Sequence, residues 1–179
     1  MHKSVIIALA EVGYLEKETR DSLDDKLQNA GDENFTKYAR DLDSRLGFYR
    51  GLKQGMPWCD VFVDWCFVQA YGKEAALALT CQPTDRTIHY GAGCKWSRKY
   101  YDYKGQLHDT PQPGDQIFFW PEDQIGGPAV AHTGLVYAMD DEYVYTIEGN
   151  TSGANVVVSN GGGVRKKKYR LNYNRIAGY

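Results

Sequence analysis

The chain has 179 residues, of which 42% are hydrophobic and 25% are charged, and its formal net charge is −2. Such a chain is long enough for one domain with a hydrophobic core, and its charge balance excludes a strongly basic nucleic-acid-binding protein. No apolar run approaches the ~20 residues that a membrane-spanning helix needs, so membrane insertion is excluded as well.

The first half of the chain is predicted to be mainly helical, because apolar residues recur there at helical spacing. The predicted helices span residues 4–12, 58–71, 73–80 and about 95–101, with a loop or short helix at 33–45. The apolar run of the first helix is interrupted at Glu11, too early for the core of a secretory signal peptide. We therefore expect synthesis in the cytoplasm without a signal peptide.

The second half is rich in β-branched and aromatic residues separated by turn sequences, which predicts strands. The predicted strands span residues 116–120, 132–139, 143–151, 155–158, 164–171 and 175–179. The basic run 165–168 falls in one of them, and we interpret it as the solvated face of that strand. Helices followed by strands predict one α+β domain over residues 1–179, with N-terminal helices packed on a C-terminal antiparallel β-sheet of about six strands.

Cys59 is the first candidate for a reactive side chain. It follows the helix-entry sequence Pro57-Trp58, and a thiolate at a helix N-terminus is stabilised by unpaired N–H groups and the helix dipole. The other cysteines are Cys66, Cys81 and Cys94, and none shows a CxxC or metal-ligand spacing, so no metal site is expected. Cys66 is predicted to be a buried structural thiol, and a Cys81–Cys94 disulfide is left open.

A predicted hairpin places polar side chains around a histidine. In an antiparallel hairpin, His132 pairs with Glu148 if the turn is centred on residue 140, or with Asn150 if it is centred on residue 141. In either register Glu148 and Asn150 share one face, because strand side chains alternate. An imidazole can act as the base for a thiol, and a third group can fix its orientation. The residues together predict a cysteine hydrolase.

The same residues resemble the CHAP domain (cysteine, histidine-dependent amidohydrolase/peptidase), a papain-like family common in phage endolysins and bacterial wall hydrolases. Four motifs in the family's order carry the resemblance, and weaker matches at 34–38 and 176–179 extend it over almost the whole chain. The motifs are Pro57-Trp58-Cys59-Asp60-Val61-Phe62-Val63-Asp64-Trp65, Pro113-Gly114-Asp115-Gln116-Ile117-Phe118-Phe119, His132-Thr133-Gly134-Leu135-Val136 and Glu148-Gly149-Asn150.

The resemblance implies a nucleophile at Cys59, a general base at His132, an orienting carboxylate at Glu148 and a polar fourth member at Asn150. It implies hydrolysis of an amide bond in bacterial peptidoglycan through an acyl-enzyme, by an N-acetylmuramoyl-L-alanine amidase or a stem or cross-bridge endopeptidase. We expect a monomeric phage or prophage endolysin that is made in the cytoplasm and acts on the cell wall. A wall-binding module in a longer parent protein is left open.

Aromatic residues near the predicted site are candidates for binding the substrate. We expect Trp58, Trp96 and Tyr100 to line a groove and stack on sugars or peptide, with core positions as the alternative. We expect His89 to lie in a loop, at the edge of the same groove or as a surface residue.

Some members of the resembling family bind calcium through aspartates just before the nucleophile. Residues 50–56 hold no carboxylate in this chain, so we expect no cofactor. A calcium site among Asp21, Asp24, Asp25 and Asp32 is the less favoured alternative.

Three other functions stay open. The first is a papain-like antibacterial effector amidase, which an adjacent immunity gene would indicate. The second is a non-catalytic cell-wall-binding module, which would bind walls equally well after Cys59→Ala. The third is a peptidase of proteins, which would cleave casein-like substrates and leave walls untouched.

Overall fold

The structure, a computed structural model, describes residues 1–45, 47–49, 51–83, 93–154, 156–157 and 161–179. Within these residues an N-terminal group of helices precedes an antiparallel sheet. The helices are α1 (Lys3–Glu11), α2 (Lys37–Arg40), which continues as a π-helical turn (Asp41–Arg45), α3 (Cys59–Tyr71), α4 (Lys73–Leu79) and α5 (Cys94–Tyr103). The strands are β1 (Gln116–Phe119), β2 (His132–Met139), β3 (Tyr143–Thr151), β4 (Gly163–Arg170) and β5 (Ile176–Gly178).

The sheet has the strand order β4-β3-β2-β1-β5, and each neighbouring pair is antiparallel. The predicted α+β class is confirmed, and the five strands of the described residues come close to the expected six. The strand expected at 155–158 is not observed, since Val156 and Val157 are outside any strand and residues 155 and 158 lie outside the described ones. The Val156 carbonyl instead accepts a bond of 2.6 Å from Lys167 Nζ.

The basic run lies in β4 and alternates between two environments. Lys166, Lys168 and Arg170 are exposed, whereas Lys167 and Tyr169 are buried. This is the pattern of a strand with one solvated face, as the sequence predicts.

The central helix is α3, in which every residue from Cys59 to Val68 is buried. It packs against α1 and α4 and against β2 and β3 of the sheet. Close approach to β3 depends on Gly149, because a Cβ there would lie 2.7 Å from Phe62 Cβ and 2.8 Å from Trp58 Cζ3. The absence of a side chain at this strand position therefore allows the start of α3, with Cys59, to lie against the sheet.

The described helices are short. The longest is α3, whose 13 residues correspond to about 20 Å of helix. None of the described helices combines the length and the apolar character that crossing a bilayer requires.

Candidate active site

Cys59 is the first residue of α3, as the sequence predicts, and it is almost fully buried. Trp58 is the N-cap residue, and its carbonyl accepts the first helical bond from the Phe62 N–H at 2.9 Å. The pKa of the Cys59 thiol lies well below its usual range. The largest cause is a hydrogen bond from the Cys94 thiol, and the His132 imidazole and the Asp60 backbone N–H add to it against the effect of burial. The thiolate form is therefore favoured at this helix start.

Cys94 is a site residue that the sequence reasoning missed. It is the first residue of α5, is buried, and places its Sγ 3.6 Å from the Val130 carbonyl oxygen. Its contact with Cys59 and its burial raise the pKa of its own thiol, so it keeps its proton beside the Cys59 thiolate, and the Val130 carbonyl is a second acceptor for the same S–H. All four cysteines are free, and a Cys81–Cys94 disulfide is therefore wrong. The missed signal was local, because Cys94, like Cys59, stands at a predicted helix start.

His132 opens β2, and its side chain is fully buried. Its Nε2 lies 3.0 Å from Glu148 Oε2, and its ring stacks on Phe119 with centroids 6.1 Å apart. Burial alone lowers the pKa of His132, but contacts with Cys59 and Glu148 outweigh this effect and raise the pKa to about 9. Because Glu148 engages Nε2, Nδ1 is the ring nitrogen left for the thiol, and it is buried without an oxygen or nitrogen partner. The lowered pKa of Cys59 and the raised pKa of His132 together favour a thiolate–imidazolium pair.

Glu148 is held in place by two further donors. The Thr146 hydroxyl donates to Oε1 at 2.6 Å, and the Tyr169 hydroxyl donates to Oε2 at 3.2 Å. The strand register explains its reach, since Leu135 pairs with Ile147 and Gly134 therefore faces Glu148. A Cβ at Gly134 would lie 2.5 Å from Glu148 Cγ. The glycine leaves the space through which the carboxylate extends diagonally to His132.

Asn150 is also fully buried, but it makes no side-chain hydrogen bond to the other site residues. Its φ is +53°, in the left-handed region, and its carbonyl accepts the Gly161 N–H at 3.0 Å. A residue with this backbone conformation departs from regular strand geometry, so strand alternation alone does not place Asn150 on the face of Glu148. Both polar atoms of the amide, Nδ2 and Oδ1, lack a partner.

The expected groove residues fall into different environments. Trp58 is fully buried, packs 5.5 Å from the Tyr38 ring and donates its Nε1–H to Glu16 Oε2 at 2.6 Å. This corrects the expected groove position of Trp58 to a core position. Trp96 and Tyr100 are half-buried on α5, and His89 lies outside the described residues.

The aspartates considered for calcium do not come together. Asp24 pairs with Arg40, and Asp25 accepts the backbone N–H groups of residues 27 and 28. In the described part of the chain, one group of three carboxylates has ligand atoms within 4.8 Å of one another, and all three are exposed. These are Glu18, Asp32 and Glu33, so Asp32 alone of the four expected aspartates belongs to this group. Exposed acidic groups of this kind are common without a metal ion.

Comparison with known proteins identifies one family. The family model described as CHAP domain matches residues 51–150, which include Cys59, His132, Glu148 and Asn150. No curated protein and no solved structure matches the chain.

Proposed function

Since the chain belongs to the CHAP domain family, whose members are peptidoglycan amidases and peptidases, we propose that it hydrolyses an amide bond of peptidoglycan through a Cys59 acyl-enzyme. The observation that carries the proposal is the buried bond of 3.0 Å between His132 and Glu148, with Cys59 at a helix start beside the ring. A nucleophile, a base and an orienting group thus lie together in one buried site.

In the proposed first step, the Cys59 thiolate attacks the carbonyl carbon of the scissile amide. The helix start offers the Cys59 backbone N–H as a donor to the developing oxyanion, and removal of one such donor typically costs about 3 kcal/mol of barrier. His132 then transfers the proton on Nδ1 to the leaving nitrogen as the C–N bond breaks. The products of this step are a free amine and a thioester on Cys59.

In the second step, neutral His132 takes a proton from water, and the hydroxide attacks the thioester carbonyl. The C–S bond breaks, the carboxylic acid product leaves and loses its proton to solvent, and the thiolate–imidazolium pair is restored. Glu148 keeps the ring plane and the tautomer fixed in both steps, because it holds Nε2 and leaves Nδ1 for the thiol.

The test is digestion of purified peptidoglycan of several wall types by wild type and by Cys59→Ala, with products identified by mass spectrometry. Cys66→Ala is the matched control, since Cys66 lies on the same helix and burial raises the pKa of its thiol. We expect new amine ends with wild type and the control, and none with Cys59→Ala. Free L-alanine amines indicate a muramoyl-L-alanine amidase, and amines within the stem or cross-bridge indicate an endopeptidase.

Two results would contradict the proposal. Wall binding without cleavage by both wild type and Cys59→Ala would indicate a non-catalytic wall-binding module. Cleavage of casein-like substrates with intact walls would indicate a peptidase of proteins. Neighbouring genes distinguish the two proposed contexts, with lysis genes for a phage or prophage endolysin and an immunity gene for an antibacterial effector.

We further propose a monomer that is synthesised in the cytoplasm, acts on the wall and needs no metal, because protein side chains fill the roles of nucleophile, base and orienter. Calcium titration after chelation tests this point. If calcium restores the activity of the wild type, and no longer does so when Glu18, Asp32 and Glu33 are replaced by the corresponding amides, the metal is assigned to that group.

A further inference from the structure

Asp60 is a buried carboxylate that the proposed mechanism does not use. It directly follows Cys59 in α3 and is 1% exposed. Two side chains from other elements donate to it, the Ser97 hydroxyl of α5 to Oδ2 at 2.8 Å and Gln116 Nε2 of β1 to Oδ1 at 2.9 Å. A buried carboxylate needs such donors, because burial without them is strongly unfavourable.

The hydrogen bonds continue from Asp60 to the strand that carries the base. Gln116 Nε2 also lies 3.0 Å from Thr133 Oγ1, to which it donates. The Thr133 hydroxyl in turn donates to the Ile117 carbonyl oxygen at 2.7 Å, which fixes the hydroxyl on the sheet. Gln116 and Thr133 are as buried as Asp60, at 3% and 0% exposed, so water does not compete for these bonds.

The two ends of this chain of bonds adjoin the two reacting side chains. Asp60 is covalently next to Cys59, and Thr133 is covalently next to His132. In the β1–β2 ladder Gln116 pairs with Leu135 and Phe118 with Thr133, so Gln116 reaches Thr133 across the sheet while also reaching the helix. The bonds therefore connect the start of α3 to the start of β2 through one glutamine side chain.

We propose that Asp60, Gln116 and Thr133 form a positioning bridge that sets the separation and orientation of Cys59 Sγ and the His132 ring. The inference rests on the proposed function, since it concerns the same thiol–imidazole pair. None of the three side chains touches a reacting atom, so they are positioning residues. A displacement of about 1 Å between reacting groups lowers rates by about 100-fold, so such a bridge is expected to affect the reaction.

The charge of Asp60 needs to be separated from its role in positioning. Burial first, and then the Cys59 thiolate, raise the pKa of Asp60 to about 7. Other titratable groups that interact with Asp60 are Asp64 on the same helix, Cys94 on α5, and Tyr49 and Tyr101. A substitution at Asp60 changes both charge and geometry, and the decisive variant is therefore placed at the far end of the bridge.

Thr133→Val removes the last link of the bridge together with the bond to the Ile117 carbonyl, because valine has the shape of threonine without the hydroxyl, and it leaves Asp60 and its two donors in place. Thr133→Ser restores the hydroxyl. Thr80→Val is the matched control, since Thr80 is fully buried and its hydroxyl donates to the Ala76 carbonyl at 2.9 Å, in a bond that is not part of the bridge. Thr133→Val loses two buried hydrogen bonds and Thr80→Val loses one, so Thr133→Val is expected to lose more stability, and the alkylation limb and kcat are what separate the two variants.

The experiment measures the rate of Cys59 alkylation by iodoacetamide against pH, the kinetics of peptidoglycan cleavage and the thermal unfolding midpoint. For Thr133→Val we expect the acid limb of alkylation to move up in pH, and kcat to fall by about 10- to 100-fold with little change in KM. Thr133→Ser is expected to retain the wild-type profile. Thr80→Val is expected to lower the unfolding midpoint and leave the alkylation limb and kcat unchanged.

If Thr133→Val has the same acid limb of alkylation and the same kcat as the wild type, the bridge is overturned. Should this variant not fold, Gln116→Met supplies the same test, since it keeps the side-chain length and removes both bonds of the glutamine nitrogen. Alkylation does not depend on the substrate, so the two proposals can fail separately. An ordinary pKa of the Cys59 thiol in the wild type would overturn the proposed mechanism and the bridge together. A lowered pKa of this thiol in the wild type that is unchanged in Thr133→Val and Gln116→Met would overturn the bridge alone.

Discussion

His132 Nε2 and Glu148 Oε2 lie 3.0 Å apart between two fully buried side chains that are diagonal neighbours on adjacent strands. The position opposite Glu148 is Gly134, whose missing side chain leaves space for the carboxylate to extend toward the ring. The imidazole is thus held at one nitrogen by a charged acceptor that itself accepts hydroxyl donors from Thr146 and Tyr169. This arrangement determines which ring nitrogen faces Cys59.

Glu148→Gln is expected to lower kcat by between about 100- and 10,000-fold, because an amide neither stabilises the imidazolium nor enforces its tautomer. The measurement is the steady-state rate on peptidoglycan together with the thermal unfolding midpoint. Tyr169→Phe is the control, since it removes one donor of 3.2 Å to the same carboxylate and keeps the charge. Equal losses in both variants would show that the charge of Glu148 is not what matters.

The rate of hydrolysis is expected to be bell-shaped in pH. The pKa of the Cys59 thiol is lowered by its donors Cys94 and His132, so the thiolate forms well below the usual pH. The pKa of His132 is raised to about 9, so the proton for the leaving amine is present below that pH and is lost as the pH rises through it. The acid limb belongs to the coupled pair rather than to one residue. A rate that keeps rising through pH 9 in stopped assays would contradict this assignment.

Cys94→Ala is expected to raise the pKa of Cys59, because the Cys94 thiol is the largest contributor to the lowered value. Alkylation by iodoacetamide at pH 6 should then slow several-fold, with mass spectrometry identifying the modified cysteine. Cys94→Ser keeps a donor and is expected to lie closer to wild type. Cys66→Ala serves as a comparison on α3, since burial raises the pKa of that thiol. Identical alkylation profiles for wild type and Cys94→Ala would exclude a role for Cys94.

Gly149→Ala is expected to lower the free energy of unfolding by about 1–3 kcal/mol, as for other overpacked cores. The added methyl would lie 2.7 Å from Phe62 Cβ and 2.8 Å from Trp58 Cζ3, so α3 has to move away from β3. We expect kcat to fall as well, because Cys59 moves with the helix start. Gly153→Ala is the control, since no atom lies within 4 Å of its added methyl. Chemical denaturation of both variants measures the difference, and equal stability would refute the close-packing argument.

Several parts of the site follow from sequence alone because they depend on residues close in the chain. The periodicity around Cys59 predicts a helix from 58 to 71, and α3 runs from Cys59 to Tyr71. The alternating segments predict β2 and β3 with the observed bounds. A thiol at a helix start and a histidine at a strand start were therefore predictable, as was the α+β class.

The hairpin register was not predictable. Leu135 pairs with Ile147, but a bulge between Val136 and Ala138 shifts the pairing by one residue toward the turn. At the His132 end the observed register is the second of the two predicted ones, which places Asn150 opposite His132. The hydrogen-bond partner of His132 is nevertheless Glu148. Side-chain length and the space at Gly134 decide this diagonal contact.

Local sequence thus determined the helices, the strands and the residue types that bring a thiol, an imidazole and a carboxylate into the protein. Tertiary structure alone decided which atoms meet: Cys94 at Cys59, Gln116 between Asp60 and Thr133, and Trp58 in the core against Tyr38. The reason is physical. Helix and strand propensities act over a few residues, whereas these contacts join segments far apart in the chain and depend on how the whole core fills its volume.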